Sequence, residues 1–386
     1  MLNHTISRMS EKFKKYTQIE HILARPGMYV GDIKCSKSEM WKIENEKLIY
    51  SECNYNPGLY KLFDEIITNA ADEVQRNKNV SCIKVEISQD QISVMNDSGI
   101  PIEIHPEYDI YIPELIFGNL LTSTNFDDKE KRTTGGLNGL GAKLVNIFSK
   151  EFKVETCKDG KKYIQLFKNN LSEICKPEIC TNQTARSQKW TKISYKPDYK
   201  RFGVSCMSDD TISILNKRVY DICAVTPKNV SVYLNGKKLN IKDFSEYISM
   251  YIGDKKSFPR VVQEQERWSV AFAPNDKFHC VSFVNGINTT DGGTHVEHVV
   301  NPVVKRLTEI IQEKHKNVTI KPNYIKENLS VFITCKIENP VFSSQTKEKH
   351  ITKISDFGSK FIFSEETIKA ILKLGILDNI LALAEA

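Results

Sequence analysis

The chain has 386 residues, 40% hydrophobic and 26% charged, with a formal net charge of +6. That length allows two or three domains, the composition is that of an ordinary globular protein, and the modest charge permits a polyanionic partner without demanding one. No apolar run reaches the roughly 20 residues that span a bilayer, and the polar, basic start from Met1 to Lys15 lacks the apolar stretch of a secretory signal.

The ten cysteines are scattered, none in a Cys-x-x-Cys pair, and the nearest two, Cys175 and Cys180, have a spacing that fits no common zinc site. They read as reduced thiols of an intracellular protein, with no membrane partner.

Residues 1–56 read as a polar arm and loop rather than core, with turns at Pro26-Gly27 and Gly31 and short strands around Trp41, Ile43, Leu48 and Ile49. The strongest helix covers 58–76. Leu59, Leu62, Phe63, Ile66, Ile67, Ala70 and Val74 recur at spacings of three and four and make one apolar stripe. Glu65, Asn69, Asp72 and Arg76 fall on one line opposite it. That line reads either as a solvated face with an Asp–Arg pair or as a functional face.

Alternation over Ile83–Ile87 and Ile92–Met95, joined through Gln89-Asp90, predicts a hairpin. It runs into the turn Asn96-Asp97-Ser98-Gly99-Ile100-Pro101. Its Asn and Asp either bond their own backbone or offer an acceptor to an adenine amino group. The charged run Asp127 to Arg132 reads as a mobile segment and candidate lid. Next comes Thr134 to Lys143, with four glycines in seven positions, ahead of a helix at 142–149. Such a loop is either an exposed turn or a phosphate cradle, since glycine admits a close ligand and the following helix start offers free N–H groups.

Strands are predicted at Phe152–Thr156, Tyr163–Phe167, Trp190–Tyr195, Val230–Leu234 and Leu239–Ile241, with turns at Asp159-Gly160 and Asn235-Gly236, and a helix at Asp209–Val225. The first 240 residues thus form a mainly antiparallel sheet with helices on one side. The second half offers strands at Trp268–Phe272, Phe278–Val284 and Val331–Ile337. A long helix spans 295–315 with Pro302 inside it, and one helix covers 365–383. His295-Val296-Glu297-His298 reads as a metal motif or, more simply, as the start of the long helix. Lys314, Lys316, Lys321 and Lys326 read as a solvated helix end or a basic surface.

The Gly-rich loop is no Walker A loop, since Gly-Ala-Lys stands where Gly-Lys-Ser/Thr is required, and it does not follow the first strand of a βαβ unit. A helix with Glu65 and Asn69 one turn apart, a turn with Asn96 and a later Gly-rich loop nevertheless suffice chemically for ATP hydrolysis. A carboxylate can deprotonate water, an amide oxygen can help hold Mg²⁺, and backbone N–H groups can cradle phosphates.

These three segments resemble the boxes of the Bergerat (GHKL) ATP-binding fold. Thr17–Gly31, Leu115–Asn125 and Glu338–Lys347 resemble eukaryotic-type DNA topoisomerase II, and the likeness runs with gaps from about residue 14 to the end. The resemblance implies an α+β chain with a dimer-strap arm over 1–30, a GHKL ATPase α/β sandwich over 31–240 and a transducer domain, ribosomal-S5-domain-2-like, over 241–386. It implies a type II topoisomerase's N-terminal ATPase part, lacking the cleavage domain, with ATP and Mg²⁺ as cofactors. Its partners would be double-stranded DNA, a second copy of the chain and the remainder of the enzyme.

Carried over by position, Glu65 is the general base, and Asn69 binds Mg²⁺ and phosphate. Asn96 meets adenine, and Ser123, Thr124 and Asn125 face ribose and phosphate. Gly136, Leu137, Asn138, Gly139, Leu140, Gly141, Ala142 and Lys143 wrap the triphosphate. Gln345, Thr346 and Lys347 come from the transducer, with Lys347 on the γ-phosphate. Tyr29 and its arm exchange across the dimer, and the four lysines after the long helix face DNA. Two departures matter. The Asn96 turn is one residue shorter than Asn/Asp-x-Gly-x-Gly, and Leu137 stands where the family carries a basic residue. The divergence and the short arm suit a version from a large DNA virus, which would act in host cytoplasm; a cellular version would be nuclear.

Overall fold

The computed structural model describes residues 15–120, 130–136, 139–182, 184 and 186–386. Its first core is built on one long helix. Helix α1 (Gln18–Ala24) leads into a hairpin of β1 (Ser36–Glu44) and β2 (Lys47–Tyr55), turned at Asn45 and Glu46, both at positive φ. Helix α2 (Pro57–Arg76) follows. Asn56 caps it, accepting the Leu59 N–H at 3.1 Å, and Pro57 sits where a missing N–H costs nothing. The predicted apolar stripe, Leu59 through Val74, is buried, each of its Leu, Ile, Val and Phe side chains contributing roughly 1.5–3 kcal/mol.

The sheet beneath it holds β3 (Cys82–Ile87), β4 (Ile92–Asn96), β5 (Ser149–Lys158), β6 (Lys161–Lys168), the short β7 (Glu173–Ile174) and β8 (Glu178–Thr181), β9 (Trp190–Pro197), β10 (Ser231–Leu234) and β11 (Lys237–Lys238). The order is β11-β10-β3-β4-β9-β5-β6, with β7 and β8 both on β6; only β10–β3 is parallel. Alternation puts Ile83, Val85 and Ile87 inward against α2, with Phe152, Val154 and Tyr195 from neighbouring strands. Helices α3 (Ile112–Gly118), α4 (Gly141–Ile147) and α5 (Asp209–Val225) complete the helical layer.

A second sheet, β12 (Val261–Gln265), β13 (Trp268–Pro274), β16 (Leu329–Cys335), β14 (His279–Val284) and β15 (Ile287–Asn288) in that order, has a parallel β14–β16 pair. One face packs on α7 (Thr294–Lys314), α8 (Pro322–Lys326), α9 (Glu365–Leu372) and α10 (Leu377–Glu385). The other packs on α6 (Phe244–Ile252) and the end of α5 through Ala224, Tyr247, Phe283 and Phe332. Helix α5 therefore belongs to both cores. Among the described residues no helix is long and apolar enough to cross a membrane.

Several expectations need correction. The described part of the N-terminal region is not arm and loop: Ile22, Val30 and Ile43 are in the first core, and its strands run nine residues each. The predicted strand Leu239–Ile241 is displaced to Lys237–Lys238, because the Asn235-Gly236 turn closes a tight two-residue pairing. The single C-terminal helix is two, broken at Gly375 with φ +84°. Helix α6 and strands β7, β8 and β12 were not anticipated. Pro302 lies within α7, which continues through it.

The start of α7 is welded to the segment after β16. His350 N donates to Gly292 O at 3.0 Å and its carbonyl accepts the Thr294 N–H at 3.1 Å. A Cβ on Gly293 (φ +139°) would overlap that carbonyl, so glycine is required. His295 Nε2 lies 2.9 Å from Ser282 Oγ, and the Nδ1 atoms of His295 and His350 face each other at 3.2 Å. His298 Nε2 instead accepts the Phe361 N–H. The His295–His298 motif is thus helix start, its two rings aimed at separate partners.

Burial takes His350 down to about 4, and burial plus His350 takes His295 well below its ordinary value. Charging either of the two facing rings puts a cation in a buried site. An unfolded histidine titrates near 6.5, so the His350 contribution is complete above about 6.5 and is lost as pH falls toward 4. Thermal unfolding should show a loss on the order of 3 kcal/mol across that window. His350→Leu should flatten the slope.

Candidate nucleotide site

A cavity of about 970 Å³ lies between the first sheet, α2 and the segment after β16. That is the size of a cofactor pocket. Glu65, Asn69, Asn96, Gly136, Gly139, Leu140, Gly141, Ala142, Lys143, Gln345 and Lys347 all line it. The structure thus brings together residues from one helix, one turn, one loop and the second core. Ser123, Thr124, Asn125, Leu137 and Asn138 lie outside the described residues. Thr346 does not line the cavity: its hydroxyl meets Ser344 Oγ at 2.6 Å, and its methyl abuts Gly31.

The polar line of α2 is solvated over only half of its residues. Asn69 and Arg76 are exposed, but Glu65 and Asp72 are buried. Asp72 uses one oxygen on the Gly135 N–H and the other on the Gly136 N–H, both at 2.7 Å. Burial raises its pKa, and those two donors only partly offset the rise. The start of the Gly-rich loop is thereby fixed to α2. A Cβ on Gly135 would lie 2.7 Å from Thr68 Cγ2, so the loop passes too close for any side chain.

Glu65 Oε1 is ion-paired to Lys61 Nζ at 2.7 Å. Its Oε2 lies against Gly141, where a Cβ would overlap it. Burial alone would push the Glu65 carboxyl up, but Lys347 and Lys61 pull it below the ordinary carboxylate value. The group is therefore ionised at neutral pH and able to accept a proton. Lys143 donates to Gly139 O, and burial brings its ammonium down to about 8.

Lys347 arrives from the second core. It has φ +60°, its N–H closes a turn on Ser344 O, and its Nζ donates to Gly135 O at 3.1 Å. Burial lowers its pKa, while Glu65, Asp64 and Asp72 act to raise it. A bulky residue in the left-handed region, held over a cluster of carboxylates, is the kind of strained placement that clusters at functional sites. The turn after β14 adds a second tie: Asn285 Nδ2 donates to Thr134 O at 3.3 Å.

At the apolar end, Val94, Ile193, Ile66 and Leu115 line the cavity beside Asn96 and Thr191. Asn96 Oδ1 accepts the Ser98 N–H at 3.0 Å, leaving its amide N–H₂ to a ligand or solvent. Asp97 is turned away, taking the Ser81 and Cys82 N–H groups. The shortened turn is closed by Thr191 Oγ1, which donates to Ser98 O at 2.6 Å, and by Ser98 Oγ, which donates to Glu73 Oε1 at 2.7 Å.

Sequence reasoning missed Lys61, although its i, i+4 spacing to Glu65 was a usable signal. It also missed Arg218. That wholly buried side chain joins Asp64 at 2.6 Å to Gly286 O of the second core at 2.9 Å. Nothing local announces a partner 154 residues away.

The chain matches two family models: Histidine kinase-, DNA gyrase B-, and HSP90-like ATPase over residues 54–172, and DNA gyrase B over residues 234–384. It is 46% identical to DNA topoisomerase 2 of Candida albicans, covering 98% of this chain and 28% of that one. It is 41% identical to DNA topoisomerase 2 of Arabidopsis thaliana, covering 98% and 26%. It spans about a quarter of the length of these relatives. Among solved structures it resembles the ATPase region of Saccharomyces cerevisiae topoisomerase II, at TM-score 0.92 and 42% identity, over 98% of this chain and 100% of that one. The ATPase and transducer domains of DNA topoisomerase II from Balamuthia mandrillaris superpose at TM-score 0.92 with 38% identity, covering 97% and 98%. The 43K ATPase domain of Thermus thermophilus gyrase B, at 18% identity and TM-score 0.61, shares the fold.

Proposed function

We propose a function from one premise: the chain belongs to the eukaryotic-type DNA topoisomerase II family, as an ATPase and transducer region. It binds ATP in the cavity and hydrolyses it, and the nucleotide state sets the relation between a GHKL domain over 31–240 and a transducer domain over 241–386. The observation that carries this is Lys347, which reaches from the second core to the Gly-rich loop beside Glu65.

Adenine lies at the apolar end near Asn96, and the triphosphate at Gly136 to Lys143 with Gln345. Asn69 offers an amide oxygen at the same end, which suits a hard cation that keeps phosphate and water as its other ligands. Mg²⁺ so held would neutralise phosphate charge. Water attacks the γ-phosphorus, its proton passes to Glu65 Oε2, and the bond to the ADP oxygen breaks. Lys347 stabilises the charge on the transferring group. By position in the family pattern, Ser123, Thr124 and Asn125 are assigned to the ribose and phosphate side and Leu137 and Asn138 to the triphosphate; all five lie outside the described residues.

In the whole enzyme, ATP closes a homodimeric gate and hydrolysis reopens it during DNA strand passage. The segment before residue 31, whose Ile22 and Val30 sit in the first core, also meets the second copy and straps the dimer, and Lys314, Lys316, Lys321 and Lys326 meet DNA phosphates. In support, Lys314 and Lys316 are exposed at the end of α7, Lys321 is exposed at the start of α8, and Lys321 and Lys326 extend over the Tyr324 and Phe278 rings. The test measures ATP turnover by the chain, and its mass in solution with a non-hydrolysable analogue. Turnover together with analogue-dependent dimerisation is the expected result. Dimerisation without turnover would make the chain a nucleotide-gated clamp instead.

A further inference from the structure

Lys61 is an unusual lysine. Its side chain is 3% exposed, on the helix that carries Glu65, and it does not line the cavity. A buried ammonium survives only when it is paired. Its partners are Glu65 Oε1 at 2.7 Å and Asp64 Oδ2 at 3.6 Å. Asp64 has a second and closer partner in Arg218, at 2.6 Å. Arg218 is therefore the main partner of Asp64, and the short contact of Lys61 is to Glu65.

The two oxygens of Glu65 thus have different fates. Oε1 faces Lys61 Nζ in an ion pair at 2.7 Å. Oε2 lies at Gly141, on the cavity wall, at a position that only a glycine leaves open. The charges facing the carboxylate are Lys61 and Asp64 from its own helix and Lys347 from the segment after β16. Of the two cations, Lys347 hydrogen-bonds Gly135 O and, in the function proposed above, turns to the γ-phosphate. When it does so, it is no longer available to hold Glu65. Lys61 does not line the cavity, so an arriving phosphate leaves its pair with Glu65 in place.

We propose that Lys61 is the positioning residue of the hydrolytic site: it clamps Oε1 of Glu65 so that Oε2 alone is presented to the attacking water. The inference rests on Glu65 being the base. It predicts that loss of the clamp lets the carboxylate rotate between positions, which slows the chemical step without weakening nucleotide binding. A misplacement of about 1 Å in such a group can cost 10²-fold in rate.

The experiment measures kcat, KM and the affinity of a non-hydrolysable ATP analogue for Lys61→Met, Lys61→Gln and Glu65→Asp, and for Lys61→Met combined with Glu65→Asp. Lys61→Met should lower kcat between about 10- and 100-fold, with analogue affinity within about twofold of the parent. Lys61→Gln keeps an N–H donor on a shorter stem and should recover part of the loss. With Glu65→Asp the shorter carboxylate has already left the clamp, so adding Lys61→Met should cost much less than it does alone. A parental kcat in Lys61→Met, or equal loss of kcat and analogue affinity in both Lys61 variants, overturns the inference. Full additivity in the double variant does so too. Glu65→Gln separates the two claims. If it keeps turnover, the base assignment fails. If it is inactive while Lys61→Met is normal, only the clamp fails.

Discussion

Glu65→Gln should bind the nucleotide as the parent does and turn it over about 10³-fold more slowly. The substitution keeps the shape of the side chain and one oxygen but removes a base that can take a proton. Binding is preserved because the phosphate loop does not hang on Glu65. Its start is held by Asp72 through two N–H groups at 2.7 Å and by Asn285 from the second core. Turnover is lost because Glu65 is a buried carboxylate on the cavity wall kept ionised by neighbouring cations. Equilibrium binding of a non-hydrolysable analogue, set beside steady-state turnover, checks both halves. Gly141→Ala serves as a companion: the new methyl would overlap Oε2, so it should also lose turnover with the carboxylate chemically intact. A Glu65→Gln protein with parental turnover would sink the assignment.

What was readable in the sequence was what is local. Helix α2 announced itself because its stripe obeys one period, and the β3–β4 hairpin because alternation and a polar turn agree. Glu65 and Asn69 could be paired because a helix converts a spacing of four into adjacency. The misses have the opposite character. Glu173–Ile174 and Glu178–Thr181 are exposed and carry no alternation to read. The break at Gly375 is hidden because apolar residues continue on both sides of it.

The burial of Glu65 and Asp72 could not be seen from α2 alone. It comes from a loop 63 residues later and a lysine more than 270 residues away folding over the polar line. Lys347 itself was reached only through family resemblance, since no periodicity links it to Gly135, 212 residues before it.

Lys347→Met should lower turnover about 10²-fold and, unlike Glu65→Gln, should also weaken the link between nucleotide and assembly. In the structure the ammonium is buried, bonded to Gly135 O and surrounded by Glu65, Asp64 and Asp72. It connects the second core to the Gly-rich loop. An arriving γ-phosphate offers it a stronger partner than a neutral carbonyl, so binding draws the 344–347 turn toward the ligand. That turn is bonded onward: Glu348 O accepts the Asp291 N–H, and His350 pairs with Gly292 and Thr294 at the head of α7. A 21-residue helix is a rigid lever, so a displacement at its head is carried to the basic end at Lys314. Methionine fills the same buried volume and removes the attraction. The analogue should then bind with modestly reduced affinity yet fail to drive dimerisation at concentrations that saturate the site. Light scattering against analogue concentration, beside turnover, reads the two effects separately. If Lys347→Met lost turnover but dimerised normally with the analogue, the lysine would serve the chemistry alone, and the link between nucleotide and second core would have to run through Asn285 and Arg218.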